Sequence, residues 1–111
     1  IALVLAFNKM LIENIIKDFP IKYYISALSF VLIDNEILID PDYIEDSSAD
    51  CDINIVINSK NEICELQLTS EKNTIKKDVL FYIFDFSFQK SKELFAIYDQ
   101  IFQNFNIPKF F

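Results

Sequence analysis

Not one of the 111 residues is glycine. A chain that folds must still reverse direction and end its helices, and many of those places require a positive φ that a β-carbon disfavours. In this sequence only Asn and Asp tolerate that region cheaply. Tight turns are therefore expected where Asn or Asp falls between apolar runs. Two stretches meet that condition, "IDNEI" around Asp34–Asn35 and "NSKNE" from Asn58 to Glu62. Both predict hairpin turns.

The runs beside those turns read as strands. "YYISALSFVLI" is β-rich and nearly all apolar, and "EILI" is a short return strand. "CDINIVI" alternates, setting Cys51, Ile53, Ile55 and Ile57 on one face against Asp52, Asn54 and Val56 on the other. "EICELQLT" alternates as well, with Cys64, Leu66 and Leu68 opposite Ile63, Glu65, Gln67 and Thr69.

Helical periodicity marks both ends of the chain. At the start, Leu3, Phe7, Met10 and Leu11 fall on one face opposite Lys9, Glu13 and Lys17, an amphipathic core helix with Pro20 as its stop. It is too interrupted by polar residues to span a membrane. From about Ile75 to Phe105, residues Val79, Ile83, Phe86, Lys90, Leu94, Ile97, Ile101 and Phe105 recur three and four apart. The first half of this helix, "VLFYIFDFSF", is apolar almost all round, which predicts a second packing partner there. The order helix, two strands, acidic loop, two strands, long helix describes a single domain over residues 1–111. Its class is α/β of the α+β type, a two-layer sandwich with a four-strand sheet and helices packed on one face.

Charge limits the partners. The net charge is −7 and all ten basic residues are Lys. Phosphate neutralisation supplies most nucleic-acid affinity, and arginine is the better bidentate phosphate ligand, so this chain alone should hold DNA or RNA poorly. With two cysteines, Cys51 and Cys64, and no histidine, a zinc site lacks ligands. A disulfide between neighbouring strands is one reading of that pair; free buried thiols are the plainer one.

Acidic residues crowd one segment: Asp40, Asp42, Glu45, Asp46, Asp50 and Asp52. Asp50-x-Asp52-x-Asn54 copies the opening of an EF-hand loop. The required Gly is replaced by Ile55 and the bidentate acid by Asn61, so calcium is excluded. Two readings remain open: solvated surface acids, or a magnesium-assisted phosphoryl site in which Asp46 and Asp52 converge on one ion. Crowding would raise the pKa of one such acid and let it serve a leaving oxygen.

The segment "DPDYIEDSSADCDINIVINSKNEICELQLTSE" resembles the ribonuclease PH family, whose pattern is "YxEDSxAxxDxN" followed by two strands, the second ending "QGTAEG". Tyr43, Glu45, Asp46, Ser47, Ala49, Asp52 and Asn54 match the first element, and Gln67, Thr69 and Glu71 the second. Leu68 and Lys72 stand where the family has Gly. The resemblance implies a fold like ribosomal protein S5 domain 2, and a chain that is the C-terminal portion of a longer subunit. The implied activity is phosphorolytic 3′→5′ exoribonuclease action in RNA processing, with inorganic phosphate attacking the RNA 3′ end to release nucleoside diphosphates. Asp46 and Asp52 would be the catalytic and metal-binding residues (Mg²⁺ or Mn²⁺), with Asp50 as an outer candidate. The family's arginine-bearing phosphate segment is expected upstream, so no phosphate-binding residue is assigned in this chain.

The implied partners are RNA 3′ ends and the other subunits of a six-member homo- or hetero-oligomeric ring, with no DNA and no membrane. The implied location is intracellular: cytoplasm and, for an exosome subunit, nucleus and nucleolus. The alternative is a non-catalytic structural ring subunit of an RNA exosome.

Overall fold

A computed structural model of the chain describes residues 1–108. In chain order the elements are α1 (Ala2–Ile12), β1 (Ile25–Ile33), β2 (Glu36–Ile39), α2 (Tyr43–Ser48), β3 (Cys51–Asn58), β4 (Ile63–Ser70) and α3 (Lys77–Asn104). The strands form one antiparallel sheet in the order β2-β1-β3-β4. This is the α/β architecture expected from the element order.

Asn and Asp take every left-handed position: Asn14, Asp34, Asn35, Asp40, Asn61 and Asn106 are the positive-φ residues among those described. Asp34 and Asn35, both positive, are the two turn residues between the paired Ile33 and Glu36, as a type I′ hairpin turn requires. Asn61 follows the turn closed by its own N–H to the Asn58 carbonyl at 3.1 Å. The other two asparagines end helices. After α1, the Ile15 N–H reaches the Met10 carbonyl at 2.9 Å and Asn14 N–H that of Leu11 at 3.1 Å. After α3, Ile107 N–H reaches Phe102 at 2.9 Å and Asn106 N–H reaches Gln103 at 3.0 Å. Both are Schellman motifs with Asn where Gly usually stands. Asn14 thus ends the first helix six residues before Pro20, earlier than the proline alone predicts.

The main core lies between one sheet face and α3. Phe30, Leu32, Cys51, Ile53, Ile55 and Ile57 from the sheet meet Ile83, with Phe84, Phe86 and Phe88 packed at its margin. The alternation of β3 holds as expected. The buried stripe of α3, however, is Ile83, Ser87, Ser91, Phe95 and Phe102. The apolar spacing alone had pointed to Ile97 and Phe105, which are 48% and 62% exposed. On the stripe that meets the sheet small size decides: Ser87 and Ser91 let the backbone approach it. The Ser91 hydroxyl meets that of Ser26 on β1 at 2.5 Å, and the Ser87 hydroxyl donates to the Ile83 carbonyl at 2.6 Å. Phe81 and Tyr82, on the apolar first half of α3, remain exposed.

At 28 residues α3 runs about 42 Å, longer than the eight- and nine-residue strands it crosses. A second cluster gathers on its later turns. Val4, Phe102 and Ile107 are buried there with Leu5, Ile21, Tyr24 and Tyr98 around them. Docking on α3 selects Val4 as the buried residue of α1; Leu3, placed on the core face by spacing, is 66% exposed. Tyr24 stands at the junction, its ring centroid 5.7 Å from that of Tyr98 and its hydroxyl donating to Asp99 Oδ1 at 2.6 Å. Burial, and then the bond to Asp99, push the Tyr24 phenol above its ordinary range.

β4 is exposed along its whole length. Cys51 is buried and Cys64 exposed, and both are free thiols, so the disulfide reading is set aside and only Cys51 behaves as a buried hydrophobe. No helix among the described residues is long and apolar enough to cross a membrane.

Candidate active site

The acidic segment is not an open loop but the short helix α2, and its charges are sorted by what they touch. Asp42 is the N-cap: its carboxylate accepts from the Ile44 and Glu45 amides at 2.8 and 2.9 Å. Glu45 reaches back to accept from the Asp42 N–H at 2.9 Å, completing a capping box. Two acids are therefore wanted at the positive end of this helix. The D-x-x-E spacing was visible in the sequence as a helix-start signal.

Asp50 serves a different purpose. Its Oδ2 accepts from the Asp34 N–H at 3.1 Å, and its carbonyl accepts from the Glu71 and Lys72 amides at 3.0 and 3.2 Å. It ties the β1–β2 turn to the end of β4 and borders a separate hollow with Asn35 and Lys76. The structure does not bring it beside the other two candidates.

Asp46 and Asp52 do come together. They line one hollow of about 370 Å³ with Ser29, Asp40, Tyr43 and Asn54. Asp52 is the second residue of β3, set on the face away from α3 because Cys51 and Ile53 on either side point into the core. Asp46 comes from α2. The helix is anchored at its far end by Lys72, whose ammonium donates to the Ser48 carbonyl at 2.9 Å. Neither Lys72 nor Leu68 is among the positive-φ residues, so neither side chain is forced into the left-handed region.

A polar relay fixes the second carboxylate. Ser29 Oγ on β1 donates to Asn54 Oδ1 at 2.6 Å, which turns the Asn54 amide so that its Nδ2 donates to Asp52 Oδ1 at 3.2 Å. Asn54 and Ser29 face one another across the β1–β3 pair. Ser29 was not singled out from sequence, because cross-strand register has no local signature. Partial burial, then the negative charge of Asp46, and to a lesser degree that of Glu71, hold the Asp52 carboxyl above its ordinary range. The bond from Asn54 works in the opposite direction.

Chemically, the hollow is lined by four carboxylates, Asp40, Asp42, Asp46 and Asp52; Asp42 is engaged in capping α2, and the Asp52 carboxyl is held above its ordinary range. No group of three or more Asp, Glu, Cys or His suited to a metal occurs among the described residues. A pair of hard oxygen donors in an open hollow fits an ion such as Mg²⁺, which takes one or two carboxylates and completes its shell with water and phosphate oxygens.

Residues 23–90 match the family model described as 3′ exoribonuclease family, domain 2. The chain is similar to ribonuclease PH of Syntrophomonas wolfei, 34% identical over 97 residues covering 87% of this chain and 41% of the relative. It is also similar to ribonuclease PH of Bdellovibrio bacteriovorus, 37% identical over 95 residues covering 86% of this chain and 39% of the relative. Ribonuclease PH of Crocosphaera subtropica is 34% identical over 100 residues, 90% of this chain and 42% of the relative. The chain thus spans about two-fifths of the length of the curated relatives it matches. With the matched segment running from Tyr23, just before β1, through α2, β3 and β4 and into α3, the chain belongs to the 3′ exoribonuclease family, of which it carries domain 2.

Proposed function

We propose that this domain contributes the catalytic carboxylates of a phosphorolytic 3′→5′ exoribonuclease. The observation that carries the reading is the placing of Asp46 and Asp52, from α2 and β3, on one hollow. In the reaction an oxygen of inorganic phosphate attacks the phosphorus of the terminal phosphodiester. The bond from that phosphorus to the 3′ oxygen of the preceding nucleotide breaks. A nucleoside diphosphate leaves, and the shortened RNA keeps a 3′ hydroxyl.

Asp52 assists the proton that the departing 3′ oxygen must take, which is the task its raised pKa suits. Asp46 sets the field that maintains this bias, and Asn54 with Ser29 fixes the orientation of the Asp52 carboxylate. Asp46 and Asp52 would hold Mg²⁺ or Mn²⁺, which when bound supplies charge stabilisation for the phosphoryl oxygens. Phosphate-holding groups come from outside this domain, and a ring of subunits inside the cell brings them together with the RNA.

Asp52→Asn in the full-length protein tests the reading. Phosphate-dependent release of nucleoside diphosphates should fall by at least 10²-fold, the usual contribution of a positioned acid, while subunit assembly measured by sedimentation is unchanged. Undiminished turnover would refute it and leave the domain a structural member of such an assembly.

A further inference from the structure

A larger hollow lies at the other end of the sheet, on the α3 side, with a volume of about 880 Å³. Three of the chain's ten lysines border it, each from a different segment: Lys22 before β1, Lys60 in the β3–β4 turn and Lys92 on α3. None of the three is in a salt bridge among the described residues. Aromatic rings line the same space, including Tyr23, over which the Lys60 ammonium sits 4.8 Å from the centroid. Asp99 is the one acid bordering it among the described residues, and it accepts the Tyr24 hydroxyl.

In a chain of net charge −7, three lysines against one acid around a single hollow form a local concentration of positive charge. Lysines are point charges without a bidentate fork, suited to phosphate but indifferent to base identity. A basic groove beside aromatic side chains is the usual form of a sequence-neutral single-strand site. From Asp52 to Ser59, β3 and its turn cover about 23 Å, so the two hollows are well separated.

We propose that the hollow bordered by Lys22, Lys60 and Lys92 is a second contact site for the phosphate backbone of single-stranded RNA, remote from Asp46 and Asp52. It rests on the reading above only in taking RNA as the ligand. Strands too short to reach it are held only by the phosphate-binding groups that other parts of the protein bring to the acidic hollow; longer strands gain its contacts.

The test is a salt titration of RNA binding by fluorescence anisotropy on the full-length protein. The Asp52→Asn background prevents turnover, and 4- and 20-nucleotide oligoadenylates serve as probes. Each lysine–phosphate contact on a single strand adds about 0.7 to the slope of log K against log salt. Lys22→Ala/Lys60→Ala/Lys92→Ala together should lower that slope by about 2 for the 20-mer and leave the 4-mer unchanged. A control triple variant, Lys9→Ala/Lys17→Ala/Lys90→Ala, removes the same charge elsewhere and should leave both slopes as they were. An unchanged 20-mer slope, or the same drop in both triple variants, overturns the proposal; an acidic protein surface would then be the better match for the hollow. Should phosphorolysis itself be absent, the proposed reaction fails, while these slopes still decide whether the hollow holds RNA.

Discussion

Asp46 is delivered to the site by a helix of six residues, far below the 12–15 at which isolated helices become even marginal in water. Its order therefore depends on its ends and its contacts, and the N-terminal end is held by Asp42. Asp42→Ala removes an acceptor for two backbone N–H groups, at 2.8 and 2.9 Å, and breaks the reciprocal box with Glu45. Losing such a cap costs about 1 kcal/mol, within a range of roughly 0.5–2. At the centre of that range the open form of α2 becomes about fivefold more populated. The change is local, because α2 has no buried residue of its own, so the global unfolding midpoint should move little.

Amide hydrogen exchange is the direct assay. The Asp46 N–H, which donates to the Asp42 carbonyl at 2.9 Å, should lose about fivefold in protection. Amides of the paired β1 and β3 strands should keep theirs. Phosphorolysis by the full-length protein should change far less, because turnover follows the closed fraction, which hardly moves while the open form stays a minority. Asp42→Asn is the decisive control: Asn caps as well as Asp, yet the charge is gone. Equal behaviour of the two variants would refute the cap argument and point to charge instead. Unchanged protection at Asp46 in Asp42→Ala would show that α2 is held by its other contacts.

Two further outcomes follow from the packing and the electrostatics. Because the Asp52 carboxyl binds its proton more tightly folded than unfolded, ionisation penalises the fold above the folded pKa, and the penalty disappears below the unfolded value near 3.8. Asp52→Asn should therefore raise the urea midpoint at pH 7 and lose that advantage as pH falls toward 3.8; equal midpoints at pH 7 would contradict the assignment. In the core, Ser91→Ala leaves the buried Ser26 hydroxyl without its partner and should cost about 1–3 kcal/mol, whereas the Ser26→Ala/Ser91→Ala pair should cost less than the single change. Thermal melts of the three variants measure this, and additive losses would argue against the pairing.

What the sequence made legible was whatever depends on local chemistry. The hairpin at Asp34–Asn35, the alternation of β3 and the extent of α3 each follow from residue type and spacing within a few positions. The pairing of Asp46 with Asp52 followed from the family resemblance and from the short chain between them. α2 escapes a reading of the acids as solvated surface charges or metal ligands, because a helix N-terminus also attracts charges that repel one another. The buried stripe of α3 departs from the apolar spacing because close approach to the sheet favours small residues, and Ser87 and Ser91 occupy it. The Ser29–Asn54–Asp52 relay required the β1–β3 register, which no single segment encodes.

The turns carry one more implication, for how this chain tolerates change. All six left-handed residues are solvent-exposed, where a substitution ordinarily shifts stability by less than about 0.5 kcal/mol. At these six, any replacement other than Gly, Asn or Asp forces a β-carbon into conflict with the neighbouring carbonyl, at about 1–2 kcal/mol per position. Variation along the lineage should thus be confined to three residue types at sites that look free on the surface, and a saturation library should find its sharpest intolerance outside the core at Asn35, Asn61 and their four counterparts.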